Sequence, residues 1–278
     1  ILALDPDTGR LVWYFQTTPG EAWDYTATQH MILADLEIEG RLRKVLMQAP
    51  KNGFFYVIDR RPGQLISAEP YAYTTWATRI DLETGRPVET PFARYDEVGA
   101  WISPGPIGAH NWEPMSYNPG TGLVYIPGQN NQSFYRRNVD FEVVRGRFNT
   151  GTGGTAPRTV EAPPIPASPG YLVAWDPAAN AERWRIPYEQ RRNAGTLTTA
   201  GNLLFTGEGR GVFYAYDATT GRELWRYDLP VGLGSPITYQ LDGRQYVTIL
   251  AGRQESGESA GRVWTFTLDG SAPDYSSN

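Results

Sequence analysis

The chain of 278 residues contains no cysteine. That excludes disulfides, thiolate metal sites and a Cys-x-x-Cys-His haem attachment within these residues. It leaves the compartment open, because proteins of oxidising compartments also occur without cysteine. Histidine is scarce: His30 and His110 are the two, too far apart in sequence for a paired-histidine metal motif. No run of roughly 18 apolar residues occurs, so no membrane span is expected. The net charge is −5 and no basic stripe is present, which argues against a nucleic-acid partner. The pair Arg191-Arg192 is too short to count as one. No long segment shows helical apolar periodicity. There is also no nucleophile elbow and no phosphate loop.

What the chain has instead is a repeated turn. Asp5-Pro-Asp-Thr-Gly9 is followed by Trp13, and Asp217-Ala-Thr-Thr-Gly221 by Trp225. Asp176-Pro-Ala-Ala-Asn180 keeps the frame with Asn for Gly and is followed by Trp184. Asp81-Leu-Glu-Thr-Gly85 and Asn118-Pro-Gly-Thr-Gly122 repeat the turn without the tryptophan, and Asp59-Arg-Arg-Pro-Gly63 is a weaker copy. In each, the first side chain can accept backbone amides just ahead of it. The last residue takes a positive φ that glycine adopts without a Cβ penalty. One copy is simply a good hairpin turn. Several copies with a fixed tryptophan offset indicate an array, in which the ring packs on the neighbouring repeat.

Strand-like runs flank the turns: Leu2–Leu4, Leu11–Phe15, His30–Leu36, Lys44–Met47 and Phe54–Ile58, then Leu123–Ile126, Tyr171–Trp175, Glu182–Ile186, Leu203–Thr206, Val212–Tyr216, Glu223–Tyr227, Pro236–Tyr239, Gln245–Ala251 and Arg262–Leu268. Many short strands with frequent turns and an aromatic content of 13% predict an all-β propeller or sandwich. Pro87–Ala109 and Asn130–Pro169 break the rhythm and read as long loops, either decoration or cover for a site mouth. The chain opens on Ile1, in a strand already under way, as expected for the C-terminal part of a longer protein. Ser271–Asn278 reads as a polar tail.

Three places could carry chemistry. Asp24 stands between Trp23 and Tyr25 in a turn-like stretch. An acid between two large aromatics is expected to be partly desolvated, which would raise its pKa and suit it to act as a base. A turn aspartate bonding its own backbone fits the same residues. Lys51 precedes the Asn52-Gly53 turn signal, where a lysine is ordinarily a solvated loop charge. His110-Asn111-Trp112 could read a planar polar ligand with an amide and a ring, or serve structure alone.

Taken in order, these stretches resemble the pyrroloquinoline quinone (PQQ)-dependent alcohol dehydrogenases, the methanol/ethanol dehydrogenase family. The matching residues are Ala3-Leu-Asp-Pro-Asp-Thr-Gly9 with Trp13, Thr18-Pro-Gly-Glu-Ala-Trp-Asp-Tyr25, Met31-Ile-Leu-Ala-Asp35, Pro50-Lys-Asn-Gly-Phe-Phe-Tyr-Val-Ile-Asp59, Gly108-Ala-His-Asn-Trp112 and Gly195-Thr-Leu-Thr-Thr-Ala-Gly201. The resemblance runs from Ile1 to about Gly270. It implies an eight-bladed β-propeller of four-stranded blades, of which residues 1–270 would form about the C-terminal half, four to five blades. It implies PQQ and a small alcohol as substrate, a cytochrome c as electron acceptor, and the periplasm as compartment.

The resemblance also implies roles for particular residues. Asp24 matches the catalytic aspartate that takes the alcohol proton and stands beside the metal. Lys51 matches the cation that bonds the reacting quinone oxygens. Asn111 matches a cofactor-contacting asparagine, with Trp112 beside it. Relatives that use a lanthanide carry a further aspartate two residues beyond the catalytic one. Here that position is Thr26, so Ca²⁺ is expected. The usual Glu and Asn metal ligands and the tryptophan that stacks on PQQ would lie in the missing N-terminal half. Two segments depart from the family: Arg191-Arg192-Asn193-Ala194, and Arg253-Gln254-Glu255 after Gly252. Two other readings stay open, a non-enzymatic propeller scaffold and a PQQ enzyme for a sugar or polymeric alcohol.

Overall fold

The computed structural model describes residues 1–152, 156–158, 160–191, 193–252 and 261–270. Among these, regular structure consists of strands and no helix. The chain divides into two compact units: Ile1–Trp112, Gly128–Pro169 and Trp175–Arg183 form the first, and Glu113–Pro127, Gly170–Ala174 and Trp184–Asn278 the second.

The first unit opens on the hairpin of β1 (Leu2–Leu4) and β2 (Leu11–Tyr14). Strands β3 (Ile32–Ile38), β4 (Arg41–Gln48), β5 (Phe54–Asp59) and β6 (Gln64–Pro70) then meander antiparallel in one sheet. β5 is buried along its whole length, because it lies inside the sheet and is apolar on both faces. β7 (Ala77–Ile80) pairs with β8 (Pro87–Glu89), and β9 (Ala100–Ile102) with β12 (Ser133–Tyr135). The core gathers Trp23, Tyr25, Phe54, Tyr56, Trp76, Ile102 and Tyr135. Phe54 and Ile102 are fully buried, and such side chains each contribute roughly 1.5–3 kcal/mol.

Strands β10 (Ser116–Asn118), β11 (Leu123–Gln129), β13 (Gly170–Asp176) and β14 (Ala181–Tyr188) make a four-stranded sheet. Strands β15 (Asn193–Thr198), β16 (Leu203–Glu208), β17 (Val212–Asp217) and β18 (Glu223–Asp228) make another. β19 (Ile237–Leu241), β20 (Arg244–Ala251) and β21 (Arg262–Phe266) make a three-stranded one. Four-stranded antiparallel meanders are the blades of a propeller.

The strands expected from sequence are all present, mostly a residue or two longer. The two expected long loops are corrected in part: Pro87–Ala109 contains β8 and β9, and Asn130–Pro169 contains β12. β9 and β12 pair with each other, Trp101 opposite Phe134. A pairing between distant residues leaves no local hairpin signal. Arg192, Arg253-Gln254-Glu255 and the tail Ser271–Asn278 lie outside the described residues.

The repeated turns form as their chemistry requires. Asp5 Oδ1 accepts the Thr8 N–H at 2.8 Å and its hydroxyl at 2.7 Å, and Gly9 closes the turn at φ 69°. Asp81 and Asp217 repeat the pattern with Thr84 and Thr220. Asn180 takes φ 52° where the other copies have glycine. The tryptophans dock as expected. The Trp13 ring lies against Gly63 and its Nε1 donates to Arg60 O at 3.0 Å. The Trp184 ring lies against Gly221 and its Nε1 donates to Thr219 O at 3.0 Å. A ring can lie flat on such a turn only where the glycine has no Cβ. Trp225 instead packs with Phe213, Tyr227 and Phe266.

Candidate active site

Asp24 sits in the left-handed region, at φ 67°. Aspartate tolerates that conformation better than most residues. Trp23 and Tyr25 on either side turn inward and are buried, while the Asp24 carboxylate is 62% exposed. The expected desolvation is therefore corrected. The local turn sends the two rings into the core and the acid out to the surface.

That turn is held by side chains from distant segments. Trp23 Nε1 donates to Ala93 O at 2.9 Å, and Tyr135 Oη donates to Trp23 O at 2.8 Å. Tyr95 Oη donates to Ala22 O at 2.7 Å. The Arg94 guanidinium donates to Gly20 O and lies 4.5 Å from the Trp23 ring centre. Glu89 on Arg94 holds its pKa above the ordinary arginine value. Glu21 Oε1 accepts the amides of Trp23 and Tyr25. Burial, then the nearby Tyr95, Glu21 and Asp24, push the Tyr135 phenol well up. Burial likewise raises Tyr95. Both hydroxyls therefore stay protonated donors at ordinary pH.

Lys51 is not the solvated loop charge that its local sequence suggests. Its side chain is 9% exposed, and Nζ lies 3.2 Å from Asp24 Oδ2 and 3.0 Å from Asp24 O. A buried ammonium requires such partners. Two of its three N–H donors are used there. Asn52, next in sequence and fully buried, donates to Thr18 Oγ1 at 3.1 Å and to Tyr56 Oη at 2.9 Å. The lysine loop is thus tied to the segment after β2 that leads into the Asp24 turn.

The loop before Asn111 packs on the lysine. Gly108 touches the Lys51 side chain, and Ala109 N donates to Lys51 O at 2.9 Å. Asn131 is buried and donates to Gly108 O at 2.8 Å, while its Oδ1 accepts Gly105 N at 2.9 Å. Asn111 Nδ2 donates to Ile107 O at 2.8 Å, leaving the amide oxygen for a ligand. Trp112 is exposed. Asp24, Lys51 and the loop bearing Asn111 and Trp112 are therefore brought together.

These residues fit PQQ, a flat polyanion: one buried cation with a donor to spare, one amide oxygen and one exposed ring. For a cation the chain offers less. Among the described residues no three His, Cys, Asp or Glu side chains group to hold a metal. Asp24 supplies one carboxylate. Sequence reasoning missed Glu21, Asn52, Arg94, Tyr95, Asn131 and Tyr135. The only local signal was an acid, Glu21, three residues before Asp24 in the same turn.

The family model for the PQQ-type glucose/ethanol/alcohol dehydrogenase beta-propeller domain matches residues 1–70 and 167–247, over half of the chain. Asp24 and Lys51 fall within the first matched stretch. The quinohemoprotein alcohol dehydrogenase ADH IIB of Pseudomonas putida is 49% identical, over 98% of this chain and 41% of its own length. The 1-butanol dehydrogenase (cytochrome c) of Thauera butanivorans is 41% identical, again over 98% of this chain and 41% of its own length. The crystal structure of the quinohemoprotein alcohol dehydrogenase from Comamonas testosteroni superposes with a TM-score of 0.87 at 41% identity, covering 98% of this chain and 42% of that one. The chain spans about two fifths of the length of the relatives it matches.

Proposed function

This chain belongs to the PQQ-dependent glucose/ethanol/alcohol dehydrogenase β-propeller family, and from that membership we propose that it carries the proton-accepting residue of an enzyme that oxidises an alcohol to an aldehyde. The observation that supports this reading is the exposed Asp24 carboxylate held 3.2 Å from the buried Lys51 ammonium. PQQ, when bound, supplies the two-electron acceptor for the hydride that leaves the alcohol carbon.

Asp24 takes the proton of the substrate hydroxyl, as a carboxylate fixed in place and open to the substrate can. Lys51 fixes it through two hydrogen bonds and offers its third N–H to oxygen that gains negative charge. Asn111 and Trp112 hold the cofactor by amide oxygen and ring. The buried rings beneath the turn keep the carboxylate from folding inward.

Asp24 also places a carboxylate beside Ca²⁺ in this proposal. The neutral Thr26 favours a divalent over a trivalent ion. Calcium takes six to eight oxygens, so the remaining ligands come from residues beyond this chain. The Thauera butanivorans relative is named for cytochrome c, and the same acceptor is proposed here. Without cysteine, these residues offer no haem attachment of their own. The periplasm is proposed with it, on the family resemblance.

The test is dye-linked oxidation of short alcohols by the intact enzyme loaded with PQQ and Ca²⁺, beside its Asp24→Asn variant. Loss of turnover with PQQ still bound is expected. Near-normal turnover in the variant would refute the role of Asp24.

A further inference from the structure

Glu21 is exposed, yet one of its oxygens accepts two backbone amides, those of Trp23 and of Tyr25, the latter at 2.7 Å. Asp24 lies between those amides, at φ 67°. A carboxylate bound to two N–H groups two and four residues ahead pulls the backbone into a tight arc. The residue enclosed in the arc is forced toward the left-handed region. That conformation is unfavourable for a residue with a Cβ, so something must hold it.

The rest of the turn is held at its carbonyls. Arg94 donates to Gly20 O, Tyr95 to Ala22 O, Tyr135 to Trp23 O and Lys51 to Asp24 O. Among the described residues, Glu21 is the side chain that captures the amides flanking Asp24. The carbonyl contacts fix where the loop lies. The amide contacts fix how the Asp24 side chain leaves it.

We infer that Glu21 is a positioning residue, whose carboxylate clamps the amides of Trp23 and Tyr25 and so sets the direction of the Asp24 carboxylate toward Lys51 and the substrate. This rests on the role proposed above for Asp24. Glu21 is a positioning residue rather than a catalytic one, because the bonds of its Oε1 run to the backbone on either side of Asp24 and it acts through that residue.

Three variants of the intact, PQQ-loaded enzyme test it. Glu21→Gln keeps an oxygen at the same reach. Glu21→Asp keeps the charge but falls one methylene short. Glu21→Ala removes both. The expected result is a loss in kcat of about tenfold or more, with little change in KM, for Glu21→Ala and Glu21→Asp. Glu21→Gln is expected to stay within about threefold of the parent. Hydrogen exchange at the Trp23 and Tyr25 amides is expected to accelerate in the Ala and Asp variants and to remain slow in Gln. A Gln variant as impaired as Ala would overturn the proposal, since charge rather than an oriented acceptor would then matter. Unchanged amide exchange in Glu21→Ala would overturn it as well. Should Glu21→Ala fail to fold, the opposed expectations for Gln and Asp still decide. Should Asp24→Asn turn over normally, the role of Asp24 falls, and amide exchange alone decides the clamp.

Discussion

Gly108 lies so close to Lys51 that a Cβ at position 108 would stand 2.3 Å from Lys51 Cγ and 2.8 Å from its Cα. Gly108 also has φ 84°. No alanine fits there without moving the lysine, and the lysine is what holds Asp24. Gly108→Ala is therefore expected to lower kcat/KM by about tenfold or more and stability by about 1–3 kcal/mol. Steady-state kinetics and a denaturant melt of the intact enzyme check both. Parental kinetics would mean that Lys51 moves without consequence.

Lys51→Met keeps most of the buried volume and removes the ammonium. Stability is expected to change by less than about 1.5 kcal/mol. Turnover is expected to fall by about 10²–10³ if the cation serves the reacting oxygen. A variant that melts normally and turns over normally would confine Lys51 to packing.

Gly9 and Gly63 share nearly the same backbone, φ 69° and 73°. They differ in space: a Cβ on Gly9 meets nothing within 4 Å, whereas one on Gly63 would stand 2.5 Å from the Trp13 ring. Gly9→Ala is expected to cost only the left-handed penalty of about 1–2 kcal/mol. Gly63→Ala adds overpacking of a further 1–3 kcal/mol or so. Paired melts that show equal losses would remove the docked ring from the account of how neighbouring repeats are joined.

Asp5, Asp81 and Asp217 have pKa values below the ordinary 3.8, held down chiefly by hydrogen bonds from Thr8, Thr84 and Thr220. A carboxylate whose folded pKa is depressed contributes stability above its unfolded value, and that contribution is lost as pH falls through the folded value. The melting temperature is therefore expected to drop below about pH 4. Asp217→Asn keeps an acceptor but cannot titrate, so its melting temperature should fall less steeply over the same window. Parallel curves for parent and variant would locate the acid sensitivity elsewhere.

Much was legible in the sequence because it is local. The turns Asp5–Gly9, Asp81–Gly85 and Asp217–Gly221 close within five residues, and the strands beside them carry their own apolar patterns. β9 and β12 lie in stretches with the sequence character of loops, since three-residue strands that pair across the chain announce themselves to neither neighbour. Asp24 and Lys51 could be singled out through an ordered set of matching stretches, but not through their own surroundings. The rings beside Asp24 suggested desolvation, and the turn's geometry gave exposure. The Asn-Gly after Lys51 suggested a solvated loop, and the packing of Gly108 gave burial.

By itself, then, the sequence determined the repeat, the β class, the turn chemistry and the order of the site residues, each a matter of a few consecutive side chains and their backbone. Tertiary structure alone decided which distant groups support the Asp24 turn. Trp23 is tied to Ala93, 70 residues away, and to Tyr135, 112 away, while Ala22 is tied to Tyr95, 73 away. Hydrogen bonds act over about 3 Å, so the chain must fold before any of these residues has a partner, and no local pattern records which partner it will be.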